Sequence, residues 1–325
     1  MSKNVIPIFF ATDDNYMPYL DVALTSLVEH TTNENMYKIY VLNTGLSTEY
    51  KNMMKRLEKD NVEITFYDMS FYIDGIKEKL KSVMHFGLAT YYRLFIQSLF
   101  PQYTKVLYLD CDIVVLKDVA ELYSFDLGDN MLAGAIEQFI LHTPEYSTYT
   151  KYAIGVDSSK YINAGILIMD LEKFRKERIE QKFVHLLVNY NFDLCDPDQA
   201  YLNFLCKDKI LILPNGWNKT NYPVACEGDL NIVHFALAEK PWQSDVKNCE
   251  LFWKYAKKSA FYDIIKQNRE KFSEEQREAK RQAELNLRKK AVEIANSDNT
   301  LYKKIILGLF QEIMKERGKE LYGEI

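Results

Sequence analysis

The sequence has few cysteines, and nothing in their spacing links them. The five cysteines are scattered along 325 residues, are odd in number and include no CxxC pair. They therefore predict neither a disulfide framework nor a zinc ribbon. Scattered cysteines of this kind are typical of a reducing compartment, so we expect a cytoplasmic protein.

Long apolar segments and excess positive charge are also missing. No window approaches 18 consecutive apolar residues, so we expect no segment to span a bilayer. The first residues, MSKNVIPIFFATDD, lack the apolar core and the small-residue cleavage site of a signal peptide. The net charge is −5, which argues against general nucleic-acid binding.

The amino-terminal part alternates strand and helix patterns. Apolar runs at 5–12, 38–45 and 61–69 are typical of buried strands, and helical spacing over 17–31 and 47–59 predicts the helices between them. This order favours an α/β fold with a parallel sheet and helices on its faces. Later strand candidates are 104–110, 131–137, 161–171, 209–214 and 231–236, and later helix candidates are 88–99, 172–190 and 198–206.

The last 60 residues differ in composition from the rest. Residues 266–325 carry a net charge of +3, against −8 for residues 1–265. We therefore predict a first domain over 1–265 and a helical carboxyl-terminal extension over 266–325. Within the extension, 273–295 are almost wholly polar and predict a solvated helix. Residues 301–321 place apolar side chains near one face with lysines beside it, which is typical of a helix on an anionic membrane surface and also of one packed on the body or on a second subunit.

Two aspartates lie one residue apart inside an apolar run, TKVLYLDCDIVVLK (104–117). If this run is a strand, Asp110 and Asp112 point to the same side with their Cα atoms about 6.5 Å apart. Each carboxylate would raise the pKa of the other unless a cation neutralised both. Magnesium and manganese prefer carboxylate and phosphate oxygens, and open α/β folds bind ligands at the carboxyl ends of strands.

Three interpretations of the pair are open at this point. In the first, the aspartates are structural and cap helices or form salt bridges. In the second, LYLDCDIV is the nucleophile motif of a haloacid-dehalogenase-type phosphohydrolase. That motif normally ends the first strand of its domain, whereas three β-α units precede it here. In the third, the pair holds the cation that bridges the diphosphate of a nucleotide-sugar donor.

Six blocks in a fixed order favour the third interpretation. The blocks are FATDDNYMPYL, LATYYRL, VLYLDCDIVV, YINAGILIMDL, DPDQAYLN and HFALAEKPW. Through them, over roughly residues 5–245, the sequence resembles glycosyltransferase family 8, and most closely its bacterial lipopolysaccharide α-galactosyl- and α-glucosyltransferases. The resemblance implies a GT-A type, Rossmann-like mixed sheet, mostly parallel and flanked by helices.

The resemblance also implies a reaction. A hexose, glucose or galactose, would pass from a UDP-sugar to a glycan or lipid-linked acceptor with its anomeric configuration retained. Asp110, Asp112 and His234 would bind Mn²⁺ or Mg²⁺, and an imidazole beside carboxylates suits manganese better. If the block HFALAEKPW is set aside, a histidine after an apolar strand is more typical of a buried core residue whose hydrogen bonds are satisfied. Contact of the carboxyl-terminal tail with the inner face of the membrane would suit a lipid-linked acceptor. Packing of this tail against a second copy of the chain would make a homo-oligomer.

Several residues are implied to bind the donor. The side chain of Tyr16 offers a ring to stack on the uracil, the guanidinium of Arg93 can hold oxygens bidentately, and Lys240 supplies a point charge to the diphosphate. The full set implied for the donor is Asp13, Asn15, Tyr16, Arg93, Asp110, Cys111, Asn163, Ala164 and Lys240.

Two residues are implied to act at the sugar. Asp198 would accept hydrogen bonds from its hydroxyls, and Gln199 would lie near the anomeric carbon. Retaining glycosidases use a carboxylate nucleophile, whereas an amide is a poor one. We therefore favour a front-face route, in which the departing phosphate helps to deprotonate the acceptor, with Asp198 as the fallback nucleophile. Leu237 stands where the family pattern HxxGxxKPW has glycine, so a protein that binds nucleotide sugars without transferring them is an alternative.

Structural roles are alternatives for some of these residues. Asp14 or Asn15 could cap the first helix, Arg93 could extend over neighbouring tyrosines at the surface, and Asp196 or Asp198 could cap the helix after Pro197. The triplet Asn218-Lys219-Thr220 matches a glycosylation site by chance. The polar, tyrosine-rich segment 138–161 is a candidate acceptor cleft or lid.

Overall fold

The computed structural model describes residues 3–74, 88–190, 192–236 and 238–308. Leu237 and the segments 75–87 and 309–325 lie outside this range. The strands in the described residues are β1 (Asn4–Ala11), β2 (Asn35–Asn43), β3 (Val62–Asp68), β4 (Lys105–Leu109), β5 (Ile113–Val115), β6 (Leu132–Ala135), β7 (Ile166–Asp170), β8 (Ile210–Leu213), β9 (Lys219–Thr220) and β10 (Ile232–His234).

Helices connect and cover these strands. The α-helices in the described residues are α1 (Met17–Glu29), α2 (Thr48–Met54), α3 (Ser70–Asp74), α4 (Ile96–Leu99), α5 (Val119–Tyr123), α6 (Gln138–Leu141), α7 (Pro144–Tyr149), α8 (Leu171–Lys176), α9 (Ile179–Asn189), α10 (Pro197–Leu205), α11 (Cys249–Ala256), α12 (Tyr262–Lys271) and α13 (Glu274–Asn296). Short 3₁₀ segments cover Lys55–Leu57, Leu88–Phe95, Ser158–Lys160 and Asn215–Trp217, and π-helical turns cover Thr150–Ile154 and Tyr302–Leu307.

A seven-stranded mixed sheet in the order β3-β2-β1-β4-β7-β6-β8 forms the centre of the fold. Strand β7 pairs antiparallel with β4 and β6, whereas the other neighbouring pairs in this sheet are parallel. A smaller sheet joins β5, β10 and β9. The predicted α/β fold with a mostly parallel sheet is therefore confirmed.

Successive residues of β1 supply the two cores of the molecule. Phe9 packs in one hydrophobic cluster, whereas Ile8 and Phe10 pack in the other. This division follows from the period-two alternation of strand side chains, and it explains why the run is apolar throughout. Helix α1 covers one of these faces with Leu20 and Leu24, and a proline in its first turn favours its start.

The apolar run 104–117 is not one strand. It divides into β4 in the large sheet and β5 in the small sheet, and Asp110, Cys111 and Asp112 join the two. The run is therefore not the single strand from which the spacing of the two aspartates was derived, although both carboxylates still reach one cluster. A break between sheets lets both carboxylates turn toward β10, whereas a buried strand would leave two like charges without partners.

Three other predicted elements differ in form. The helix predicted over 88–99 is largely 3₁₀, and the helix predicted over 172–190 is interrupted at Arg178, whose φ is 56°. The strand predicted over 161–171 begins only at Ile166. The residues before it are irregular because their backbone and side chains hydrogen-bond across the site described below.

Helix α13 of the extension packs along the body at its carboxyl end. Its start is a capping box between Ser273 and Gln276, and most of its residues are exposed, in line with the predicted solvated helix. Ala291, Ile294 and Ala295 are buried. Among the helices of the described residues, none has the length and apolar character needed to cross a bilayer. Most of the apolar stripe predicted over 301–321 lies outside the described residues.

Candidate active site

Asp110, Asp112 and His234 form one cluster, in which the candidate ligand atoms lie within 4.8 Å of one another. His234 Nε2 is 3.2 Å from Asp112 Oδ1 and 3.8 Å from Asp110 Oδ2. Around an ion with bonds of about 2.1 Å, neighbouring ligand atoms are about 3 Å apart and opposite ones about 4.2 Å apart. Two carboxylates and an imidazole with this spacing fit a divalent transition-metal cation such as Mn²⁺.

Two cations, the buried Arg93 and the partly buried Lys240, pair with the aspartates. The guanidinium of Arg93 pairs with Asp110 Oδ1 at 3.0 Å and with Asp198 Oδ2 at 3.3 Å. The ammonium of Lys240 pairs with Asp112 Oδ2 at 2.8 Å and also donates to the carbonyl of Phe235. With a neutral imidazole, three carboxylates and two cations leave the group one negative charge, which favours a bound cation.

The pKa directions follow from these pairs. Burial raises the pKa of Asp110, and Arg93 and His234 offset this only in part. Burial alone would also raise the pKa of Asp112, but Lys240 and His234 hold it below its ordinary value. Burial opposes the charge of Arg93, yet Asp110 together with Tyr108 and Asp198 keeps its pKa above the usual value. Arg93 is therefore a permanent buried cation, 4% exposed, stacked 4.1 Å over the ring of Tyr108.

A chain of side-chain amides fixes the orientation of the imidazole. His234 Nδ1 lies 2.9 Å from Asn218 Oδ1, and Asn218 Nδ2 donates to Asn163 Oδ1 at 2.8 Å. Asn163 in turn donates to the buried carboxylate of Glu137. Because each amide donates through nitrogen, Asn218 presents an oxygen, and the Nδ1 proton of His234 is donated to it. In the neutral imidazole, Nε2 then carries the lone pair and faces the aspartates, as a metal ligand requires.

Gly165 leaves the space that the cluster occupies. A Cβ at this position would lie 2.3 Å from His234 Cε1 and 2.6 Å from Asp110 Oδ2. Its backbone also positions the site, since its carbonyl accepts from the Asp110 amide at 2.7 Å. Only a glycine lets β7 approach the cluster this closely.

Two cavities adjoin the cluster. The first is about 280 Å³, and its lining includes Asp13, Tyr16, Arg93, Cys111 and both aspartates of the cluster. The second is about 700 Å³, and its lining includes Glu137, Asn163, Gln199 and Lys240. The ring of Tyr16 is 40% exposed and has an edge contact with Trp242, which stacks on Tyr19. Asn15 is exposed and is not part of either lining.

A buried hydrogen-bond network holds Gln199 in place. Its Oε1 accepts from the amide of Ala164 at 2.9 Å, and its Nε2 donates to Asp196 Oδ2 at 2.8 Å. Asp196 also accepts from the hydroxyls of Tyr149 at 3.0 Å and Tyr161 at 2.8 Å. Burial raises the pKa of Asp196 to about 7, although the hydrogen bonds from Tyr161, Tyr149 and Gln199 act in the opposite direction.

We predict that Asp196 makes stability depend on pH. Because its folded-state pKa of about 7 exceeds the ordinary 3.8, the native state retains a proton that the unfolded chain releases. This contribution is complete below about pH 4 and is lost as the pH rises toward 7, at about 1 kcal/mol per pH unit. The free energy of unfolding of the wild type should therefore fall relative to Asp196→Asn between pH 5 and 7 in urea titrations. Parallel pH profiles for the two proteins would contradict the prediction.

Several structural alternatives for single residues are wrong. Arg93 is buried over Tyr108 rather than extended over surface tyrosines. The side chains of Asp14 and Asn15 do not cap α1: Asp14 accepts instead from the amide of Ser47. Asp196 precedes α10, but its carboxylate is turned into the tyrosine network and makes no cap.

Sequence reasoning missed four residues of this site. Gly165 lies in a recognised block beside the predicted Asn163, yet the close approach at the glycine has no signal in a single sequence. Glu137 gave no signal either, and Asp196, at the start of the block DPDQAYLN, was interpreted only as a candidate cap. Asn218 belongs to a triplet interpreted as chance, and its buried contact with His234 depends on the pairing of β9 with β10.

Comparisons with known proteins agree with this fold. The profile of Glycosyl transferase family 8 matches residues 7–246. The chain is 30% identical over 268 residues to General stress protein A of Bacillus subtilis, covering 75% of this chain and 90% of that protein. It is 24% identical over 255 residues to the lipopolysaccharide 1,2-glucosyltransferase of Escherichia coli K12, covering 74% of each.

Solved structures show the same architecture. The galactosyltransferase LgtC in complex with donor and acceptor sugar analogues superposes with a TM-score of 0.64 at 25% identity, covering 78% of this chain and 96% of that chain. GlyE of Streptococcus pneumoniae superposes with a TM-score of 0.60 at 25% identity, covering 82% and 63%. The chain spans only 60–63% of the length of several curated relatives from Haemophilus influenzae and Streptococcus pneumoniae.

These findings identify the chain in two steps. The mixed sheet and its neighbours define a glycosyltransferase of the GT-A fold. The match over residues 7–246 places it more narrowly: the chain belongs to glycosyltransferase family 8.

Proposed function

We propose that the protein is a retaining, metal-dependent hexosyltransferase that moves glucose or galactose from a UDP-sugar to a glycan or glycolipid acceptor. The observation that carries this proposal is the Asp110, Asp112 and His234 cluster, whose aspartates line one cavity and whose partner Lys240 lines the other. A cluster with this position suits a donor whose base and sugar lie on either side of its diphosphate.

The smaller cavity would hold the nucleotide. The carboxylate of Asp13 and the exposed ring of Tyr16 offer a hydrogen-bond acceptor and an apolar face to the base and ribose. Cys111 lines the same cavity, with its thiol donated to the carbonyl of Ala11 at 3.2 Å. In this proposal Asn15 also belongs to the nucleotide site, because it lies in the same turn as Asp13 and Tyr16.

Protein groups would orient and neutralise the donor. Arg93 is held beside Asp110, and Lys240 is held beside Asp112. Each of these cations can also donate hydrogen bonds to phosphate oxygens. A bound Mn²⁺ or Mg²⁺ would supply Lewis-acid stabilisation of the charge on the departing UDP. Asp198, which pairs with Arg93, and Gln199, which is fixed by Ala164, would contact the sugar hydroxyls and the anomeric region.

The retained configuration is best explained by a front-face route. Both ends of the Gln199 amide are already hydrogen-bonded, which suits a positioning role better than attack on carbon. The carboxylate of Asp198 is paired with Arg93, and such a pair lowers its nucleophilicity. A glycosyl adduct on Asp198, detected by mass spectrometry of the intact protein, would contradict this route.

The extension and the cellular location belong to the same proposal. A catalytic domain over residues 1–265 and an extension over 266–325 belong to this proposal; the family match ends at residue 246, and α13 begins beyond it at residue 274. A cytoplasmic enzyme is supported by five free cysteines. Contact of the tail with the inner membrane face would place the site near a lipid-linked acceptor, whereas contact with a second copy would make a homo-oligomer.

Hydrolysis of UDP-sugars tests the proposal. With Mn²⁺ present, we expect slow release of UDP from UDP-glucose or UDP-galactose, and NMR of the released sugar should show the retained anomer. Tight UDP binding without release from any UDP-sugar would favour a binding protein. Release of phosphate from p-nitrophenyl phosphate would favour the phosphohydrolase instead.

A further inference from the structure

The 700 Å³ cavity has a wall that comes from outside the family domain. Helix α13 begins at residue 274, beyond the matched range 7–246. Lys280, Ala283, Glu284 and Leu287 of this helix line the cavity. Their spacing of three and four residues places them on one face of the helix.

This wall is held at both ends with the cavity between. Near the start of α13, Lys280 Nζ donates to the carbonyl of Ala238 at 2.9 Å and to Gln243 Oε1 at 2.7 Å. Near its end, Ala291 and Ile294 belong to a hydrophobic core. A concave, partly apolar space of this size beside a fixed helix is typical of a small-molecule binding site.

The lining of the cavity combines apolar and polar groups. Its apolar residues include Phe139, Ile140, Tyr146 and Leu287, and the Phe139 and Tyr146 rings are 5.3 Å apart. The polar residues, called the floor below, belong to the candidate active site, so the cavity adjoins that site. The floor residues are Glu137, Asn163, Asp196 and Gln199.

The charged groups of the lining are already engaged. Glu284 accepts from Arg288 at 2.6 Å, Lys240 pairs with Asp112, and Lys280 is bonded to a carbonyl and an amide. The guanidinium of Arg288 lies 5.4 Å over the ring of Phe139. In the proposed function Lys240 is directed to the diphosphate of the donor, and Lys280 is held by a carbonyl and an amide. The described lining residues therefore offer no further cation to a charged acceptor, so an uncharged occupant fits best.

We propose that this cavity is the acceptor subsite and that α13 makes it selective for an uncharged glycoside carrying an apolar aglycone. The sugar hydroxyl would face the Asn163 and Gln199 floor, and the aglycone would pack between Leu287 and the Phe139 and Tyr146 rings. The inference rests on the proposed function, because the donor sugar must be delivered to the same floor.

Glycoside binding tests the inference without turnover. The probes are p-nitrophenyl and methyl β-glycosides of galactose and glucose, titrated by calorimetry against protein with UDP and Mn²⁺. In the wild type, at least one p-nitrophenyl glycoside should bind about tenfold more tightly than its methyl counterpart, because its ring is buried. Ala283→Trp, at an exposed lining position, should remove this advantage and leave UDP affinity unchanged.

Leu285→Trp is the matched control. Leu285 is 48% exposed on the same helix and does not line the cavity, so the added indole should leave glycoside binding as in the wild type. Equal affinity for aryl and methyl glycosides, absence of binding of either, or unchanged binding in Ala283→Trp would overturn the inference. The proposed function has a separate readout, because release of UDP from UDP-sugars by the wild type is measured without these glycosides.

Discussion

Replacing Asp112 with asparagine should lower Mn²⁺-dependent release of UDP from a UDP-sugar by about a thousandfold, which is about 4 kcal/mol of transition-state stabilisation. Asp112 contacts both His234 at 3.2 Å and Lys240 at 2.8 Å. Asparagine preserves the shape of the side chain but removes the negative charge that a bound metal cation and the Lys240 ammonium would share. Turnover and Mn²⁺ affinity, the latter measured by electron paramagnetic resonance, should fall together.

An exposed aspartate supplies the control for this change. Asp129 lies in the turn before β6 and lines neither cavity. Asp129→Asn removes the same charge from the chain and should leave turnover and metal affinity unchanged. Wild-type metal affinity and turnover in Asp112→Asn would mean that the cluster is not the metal site.

Replacing Gly165 with alanine should weaken Mn²⁺ binding by about a hundredfold, because the new methyl group displaces ligands rather than removing them. The added Cβ would lie 2.3 Å from His234 Cε1, 2.6 Å from Asp110 Oδ2 and 3.0 Å from Asn163 Oδ1. No rotamer of alanine relieves these contacts, so the imidazole and the carboxylate must move apart. Overpacking should also lower the free energy of unfolding by about 1–3 kcal/mol.

Gly134→Ala separates the metal effect from the packing effect. A Cβ at Gly134, in the neighbouring strand β6, would meet Ile162 Cδ1 at 2.7 Å and Leu167 Cδ2 at 3.3 Å, both in side chains outside the cluster. We expect a similar loss of stability with Mn²⁺ affinity preserved. Equal loss of metal affinity in both variants would show that general repacking, and not displacement of the ligands, explains the result at Gly165.

Much of the fold follows from local patterns. The alternation of apolar strands with amphipathic helices before residue 70 was sufficient to predict the parallel half of the sheet, because each of those elements is regular along its length. The mixed half was predicted only through the family resemblance. The antiparallel direction of β7 depends on how the chain returns after residue 137, and no local periodicity specifies that path.

The candidate site was predictable where its residue types are unusual for their surroundings. Carboxylates within an apolar run indicated a cation, and the structure brings Asp110 and Asp112 to within reach of His234. Arg93 and Lys240 were predicted as donor contacts, but their pairing with the aspartates was not. Their roles toward a donor remain predictions, as do those of Asp198 and Gln199.

By itself, the sequence determined the alternating architecture, the acidic pair and the family blocks, because each is carried by residues close together along the chain. Tertiary structure alone decided that Asn218 would orient His234, that Gly165 would make room for the cluster, and that α13 would wall the larger cavity. These contacts join residues that are at least 16 positions apart along the chain. Their energies depend on distances of a few ångströms, which only the packing of the whole chain sets.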